Sequence, residues 1–256
     1  MKALYSIAIF IFGSAIGSFL NVLIYRMPRG ISIVAPGSFC PHCKKSIKWY
    51  ENIPILSYIF LGGRCSQCKN VISVQYPIIE LLSGLLLLWL FIRFSFKMDF
   101  FFIAIFFIIL IVISGIDFTH QVIPDIFSIP GIFIGLIYQF LNHNFLPGLI
   151  GALFGGGLIF LIRVLGGWAY KKEVMGMGDV YLVTLIGAFT GFPMIIPAIF
   201  IAAFIGAIFG MVYLGVTHQS KDNPIPFGPF LSAGGVIVII LHNQIIQFLR
   251  GLGIYF

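Results

Sequence analysis

The stretch DFFFIAIFFIILIVISGID, residues 99–117, places seventeen uncharged residues between two aspartates, and only Ser114 and Gly115 among them are not apolar. About 20 such residues cross the hydrocarbon core of a bilayer as a helix, whose backbone then satisfies itself without water. Comparable runs recur at roughly 4–25, 77–95, 99–116, 124–141, 145–165, 178–192, 194–217 and 226–250. The sixth is short, and only TGFPM separates it from the seventh. Hydrophobic residues make up 60% of the 256, charged residues 9%, and the mean hydropathy is +1.08. Soluble domains carry roughly 25% charged residues. The chain is therefore expected to be an all-α polytopic membrane protein with about eight transmembrane helices. The alternating pattern of a membrane barrel is absent.

One segment breaks the apolar pattern. Residues 26–76 are polar and contain prolines and all four cysteines, which predicts a small extramembrane domain between helices 1 and 2. The expected organisation is a first transmembrane helix over 1–25, this domain over 26–76, and a membrane domain of about seven helices over 77–256. The first span has one preceding lysine and no small-residue cleavage site before YRMPRG, so it reads as a retained span and not a removed signal peptide.

The net charge of +7 needs no nucleic-acid partner. With the N-terminus outside, eleven of the fifteen basic residues fall in cytoplasmic segments, leaving Lys2, Arg93, Lys97 and Arg250 outside. That bias is what insertion into a bilayer selects.

Cys40 and Cys43 form CPHC, and Cys65 and Cys68 form CSQC. Two such knuckles present four thiolates tetrahedrally to Zn²⁺. A cytoplasmic location disfavours the disulfide alternative. Four thiolates leave no open coordination position, so the metal is expected to be structural and to supply much of the segment's folding energy. His42, between two thiolates, reads as a bystander. His120, His143, His218 and His242 read as interface or loop residues, with His120 close in sequence to Asp117.

The eight acidic residues can be judged singly. Asp99 and Asp222 sit in short connections and read as solvated turn residues. Glu173, beside Lys171 and Lys172, and Glu51, in the cysteine segment, read as surface charges. Glu80 opens the second span. Asp125 follows Pro124 and reads first as an N-terminal charge on the fourth span. Asp117 differs, because it closes a helix, where the macrodipole disfavours an anion. Asp179, in MGMGDVYL, opens the sixth span and reads as either a cap or a group kept for chemistry.

Topology favours chemistry. The third span ends at Asp117 as it reaches the cytoplasmic side, and the sixth begins at Asp179 on that side. Ionisable residues at membrane depth mark functional sites. Two adjacent carboxylates share a proton, which suits peptide hydrolysis: one activates water and the other donates to the carbonyl. Gly176 and Gly178 allow a tight turn and close approach to a substrate strand. A proton- or ion-coupled transporter is the rival reading, but it favours acids near the midplane and repeated halves. A non-enzymatic zinc-bearing scaffold is a further alternative.

The chain resembles the bacterial type IV prepilin peptidases, membrane aspartic endopeptidases of the GxGD class. The resemblance spans GSFLNVLIYRMP at 17–28, the cysteine segment at 40–80, DFTHQVIPD at 117–125, GMGD at 176–179 and PFGPFLSAGG at 226–235. It implies a peptidase of the cytoplasmic (inner) membrane that removes basic leaders from prepilins or pseudopilins at the cytoplasmic face. Asp117 and Asp179 match the two catalytic positions, with Gly176, Gly178 and Asp125 as supporting or substrate-contacting residues. It also implies N-methylation of the new terminus with S-adenosylmethionine, which goes with the four-cysteine segment. Gly63 and Glu80 are the candidates near that methyl donor. The family commonly carries lysine two residues beyond the GxGD aspartate; here Tyr181 stands there.

Overall fold

The computed structural model describes residues 2–172, 175–217 and 225–251. Glu173, His218, Lys221 and Asp222 lie outside the described residues. Among those described, the chain is helical, with two isolated antiparallel bridges and no longer strand. The helices are α1 (Lys2–Arg26), α2 (Leu56–Phe60), α3 (Gln75–Phe94), α4 (Met98–His120), α5 (Asp125–Leu141), α6 (Phe145–Tyr170), α7 (Met177–Thr190), α8 (Ile195–Thr217), α9 (Gly228–Ile240) and α10 (His242–Gly251).

Five helices are long and apolar enough to cross a membrane: α1, α3, α4, α6 and α8. The pair α9 and α10 passes the same test together but is bent by 78°. The helices α5 and α7 are apolar but shorter. With the bent pair taken as one, these are the eight apolar segments read from the sequence, and the protein is a multi-pass membrane protein. The last segment departs from the expected single span over 226–250. The helix stops at Leu241, and the polar His242, Asn243 and Gln244 open α10 in a new direction. Asp99 lies within the first turn of α4 rather than in a loop, where an acid complements the helix dipole.

By packing, the chain divides into two units, residues 1–116 and 117–256, with the division inside α4. The second and third spans thus group with α1. The reason is local. A Cβ on Gly13 would lie 2.9 Å from the Gly84 Cα, and one on Gly17 would lie 2.7 Å from the Glu80 Cα. Small residues let the backbones of α1 and α3 come together, which is how helices associate in lipid, where apolar burial alone gives no drive. Asn21 Nδ2 adds a bond across the pair to the Tyr76 carbonyl, 3.1 Å. Trp89 on α3 meets Phe107 on α4 at a ring separation of 6.4 Å.

In the second unit, α7 is the central helix. Leu182, Val183, Leu185 and Ala188 are fully enclosed. A Cβ on Gly151 of α6 would lie 2.6 Å from the Gly187 carbonyl, and one on Gly135 of α5 would lie 2.7 Å from Phe189. Gln139 of α5 donates to the Phe189 carbonyl at 2.7 Å, satisfying a group near the end of α7. This packing holds α7, the helix that carries Asp179, against α5 and α6.

Candidate active site and metal centre

Asp117 sits in the last turn of α4 and is buried, 5% exposed. A carboxylate there faces the unfavourable end of its own helix dipole. The second unit supplies the compensation: the backbone N–H of Gly228, the first residue of α9, donates to Asp117 Oδ2 at 2.8 Å. The helix α9 thus aims its positive end at the anion. A Cβ on Gly228 would lie 2.7 Å from that oxygen, so the close approach requires glycine. Pro229 at the start of α9 has no N–H to satisfy.

Asp179 is the third residue of α7, whose N-cap is Gly176 in extended conformation. The Gly176 N–H donates to its carboxylate, and the Asp117 carboxylate is near enough to act on it electrostatically. Two acids 62 positions apart in the chain therefore meet at one site. Gly178 packs on the loop between α4 and α5, where a Cβ would lie 2.6 Å from that of Ile123. Gly176 is exposed, and the nearest atom to a Cβ there would be Asp179 Oδ2, at 3.6 Å. Of the two glycines, Gly176 borders open space and Gly178 serves packing. Asp125 is exposed and opens α5, the helix-start position expected of it. His120 Nε2 is buried with no hydrogen-bond partner among the described residues. Tyr181 is half-buried on α7, two residues beyond Asp179.

The four cysteines converge. Their sulfurs all lie within 4.8 Å of one another, and Cys40 Sγ and Cys68 Sγ are 3.9 Å apart. Zn–S bonds of about 2.3 Å in a tetrahedron put sulfurs ~3.8 Å apart. The donor set fits a tetrathiolate metal ion, and His42 is not part of it. Both knuckles are built alike. Cys40 N donates to the Lys45 carbonyl and Cys65 N to the Asn70 carbonyl, at 3.0 and 2.9 Å. Lys44 and Lys69, at equivalent turns, have φ of 60° and 59°. The backbone N–H groups of Cys68 and Gln67 face Cys65 and bring its thiol down to about 7. That favours the thiolate at Cys65, while burial and the neighbouring thiols push Cys68 up.

Arg26, read from the sequence only as a cytoplasmic charge, is buried at the end of α1. It donates to the carbonyls of Ser32 and Gly37 at 2.8 and 2.9 Å and lies over the Phe39 ring. It therefore clamps the first knuckle to the membrane helix. Its position in YRMP carried no signal of this, because the partners are backbone atoms.

Glu80 is buried on α3, and its Oε2 accepts from the Ile55 N–H at 2.7 Å. Gly63, at φ 66°, leads into the second knuckle, with the Tyr58 ring against its α-carbon. Tyr58 and Ile55 belong to the same short stretch around α2. Glu80 and Gly63 are thus tied to one loop at two points.

Comparison with known proteins agrees with this architecture. The Bacterial Peptidase A24 N-terminal domain profile matches residues 11–94, and the Type IV leader peptidase family profile matches residues 104–211. A Pseudomonas aeruginosa protein named prepilin leader peptidase/N-methyltransferase is 33% identical, covering 91% of this chain and 89% of its own. One of the same name from Myxococcus xanthus is 36% identical over 90% of this chain and 71% of its own. A third, from Bacillus subtilis, is 33% identical over 94% and 96%. No solved structure matches the chain. With both halves of the chain matched and relatives aligned over almost its whole length, the protein belongs to the type IV leader peptidase family.

Proposed function

We propose that the chain is an aspartic endopeptidase that removes the leader from prepilins or pseudopilins at the cytoplasmic face of the bacterial cytoplasmic membrane. The observation that carries this reading is the meeting of Asp117 and Asp179, from two helices, within electrostatic reach. Close carboxylates share one proton. The ionised member takes a proton from water as the oxygen attacks the scissile carbonyl carbon, and the protonated member donates to the carbonyl oxygen. Collapse breaks the C–N bond, and the departing amine takes up a proton. The exposed Gly176 lies beside the carboxylate where a substrate strand can pass, and Asp125 lies at the rim. The apolar part of a prepilin stays in lipid while its basic leader reaches the acids at the interface.

The bacterial relatives' shared name supports a second step on the same product: transfer of a methyl group from S-adenosylmethionine to the new amino terminus. In this reading the metal is Zn²⁺, bound by Cys40, Cys43, Cys65 and Cys68, and it cross-links the two knuckles. Gly63 and Glu80 act by shaping the loop around α2 that the methyl-transfer step uses. The test is incubation of the purified protein with a prepilin and S-adenosylmethionine, with product masses read. Loss of the leader and gain of one methyl group is the expected result. An intact prepilin would refute the peptidase, and a cleaved, unmethylated product would refute the second step alone.

A further inference from the structure

The helix α2 reverses the pattern of a helix that faces water. Ser57 is buried, with its hydroxyl held between the carbonyls of Ile53 and Tyr50 at 2.7 and 3.2 Å. Leu56, Ile59 and Phe60, spaced i, i+3 and i+4, share the opposite face and are 50, 66 and 85% exposed. Just upstream, Trp49 is 81% exposed, edge-on to the Tyr50 ring. Single exposed apolar residues are ordinary, but a whole helical face of them marks an interaction surface.

The loop's attachment sets the depth of this face. Ile55, the residue before α2, forms a tight turn in which Leu56 N donates to the Pro54 carbonyl at 2.6 Å, with φ of 63°. That is a strained three-residue turn for a β-branched residue. Its N–H is held by Glu80, five positions beyond the start of a helix long enough to span the membrane. At 1.5 Å per residue, the attachment point lies ~7.5 Å along that helix. The adjacent α3 residues Ile78, Leu81 and Leu82 are exposed as well, as on any lipid-facing helix.

Charge selects the partner. Residues 27–75 contain Arg29, Lys44, Lys45, Lys48, Arg64 and Lys69 against a single acid, Glu51. Even with the two net negative charges of a tetrathiolate zinc, the segment stays positive. A basic prepilin leader or a second copy of the same surface would be repelled. Anionic lipid headgroups would be attracted, and aromatic residues such as Trp49 favour the headgroup level.

We propose that Trp49 and the Leu56–Ile59–Phe60 face of α2 insert into the headgroup boundary of a bilayer containing anionic phospholipid. The cysteine segment then lies on the membrane as an interfacial element instead of standing in water. This goes beyond leader cleavage, and its readout does not depend on peptidase activity.

The experiment uses the full-length, metal-loaded protein in nanodiscs, with Trp89→Phe and Trp168→Phe leaving Trp49 as the sole tryptophan. The expected result is blue-shifted emission that loses most of its intensity to lipids brominated near the headgroup. In a mixed bilayer, brominated phosphatidylglycerol should quench more than brominated phosphatidylcholine. A parallel variant, Trp49→Phe with Phe60→Trp, should behave the same way and guards against a local effect at residue 49. Emission typical of water, quenched by acrylamide and indifferent to brominated lipid, would overturn the proposal. Equal quenching by the two brominated lipids would overturn the assignment to an anionic surface. Dequenching on addition of a prepilin would give the face to the substrate instead.

Discussion

Asp117 Oδ2 accepts a hydrogen bond from the backbone N–H of Gly228 at 2.8 Å, joining the end of α4 to the start of α9 across 111 positions of sequence. The bond gives a carboxylate at an unfavourable helix terminus the positive end of another helix. It also makes the orientation of Asp117 depend on a glycine that carries no functional group of its own.

Gly228→Ala tests this dependence. A methyl group there would collide with the Asp117 carboxylate, and displacement of a reacting group by about 1 Å costs on the order of 100-fold in rate. Leader cleavage in membranes should fall by about that factor while the protein still inserts. Unchanged cleavage would separate Gly228 from the site.

Asp117→Asn and Asp179→Asn each remove one member of the pair while keeping shape and hydrogen-bonding capacity. Each should lower cleavage by roughly 100- to 10,000-fold, the usual range for losing an acid–base group. A detergent-solubilised sample of either variant should elute like the wild type. Full processing by either one would dismiss the dyad.

Metal removal acts on the other unit. Chelation, or Cys43→Ser, should release bound zinc and open the segment over 27–74 to proteolysis, because the ion joins two turns with little core of their own. Acid should do the same: ligation needs thiolates, so metal is held at higher pH and lost as pH falls and the thiols protonate. Zinc content by elemental analysis, measured beside a protease time course, checks both. The methylated fraction of product should fall before leader cleavage does.

Glu80→Ala leaves the part-buried Ile55 N–H without its acceptor inside a strained turn, a loss of about 1 kcal/mol. A lower thermal midpoint in detergent is expected. Ile55→Gly should recover part of it, because glycine takes positive φ without strain. No recovery would place the effect of Glu80 elsewhere.

The cysteine cluster was legible from local spacing, because each CxxC turn carries its own geometry. The membrane class was legible for a similar reason: a bilayer requires continuous apolar helix wherever the chain crosses it. Asp117 and Asp179 could be suspected from their places at span ends. Gly228 was quoted within PFGPFLSAGG without a role, since its use is an N–H directed at a distant carboxylate. The cysteine segment read as a small extramembrane domain because it is polar and contains prolines and all four cysteines. Its exposed apolar face arises only when Ser57 is drawn inward by two backbone carbonyls.

The sequence by itself determined that this protein is a multi-spanning helical membrane protein with four cysteines placed to hold a metal ion, because both properties follow from residues close together in the chain. Only the tertiary structure decided which helix end offsets the charge of Asp117, which glycine gives packing instead of access, and where the chain divides into units. Those depend on backbone groups and dipoles brought together over more than 100 positions, and side-chain identity does not encode where such groups will meet.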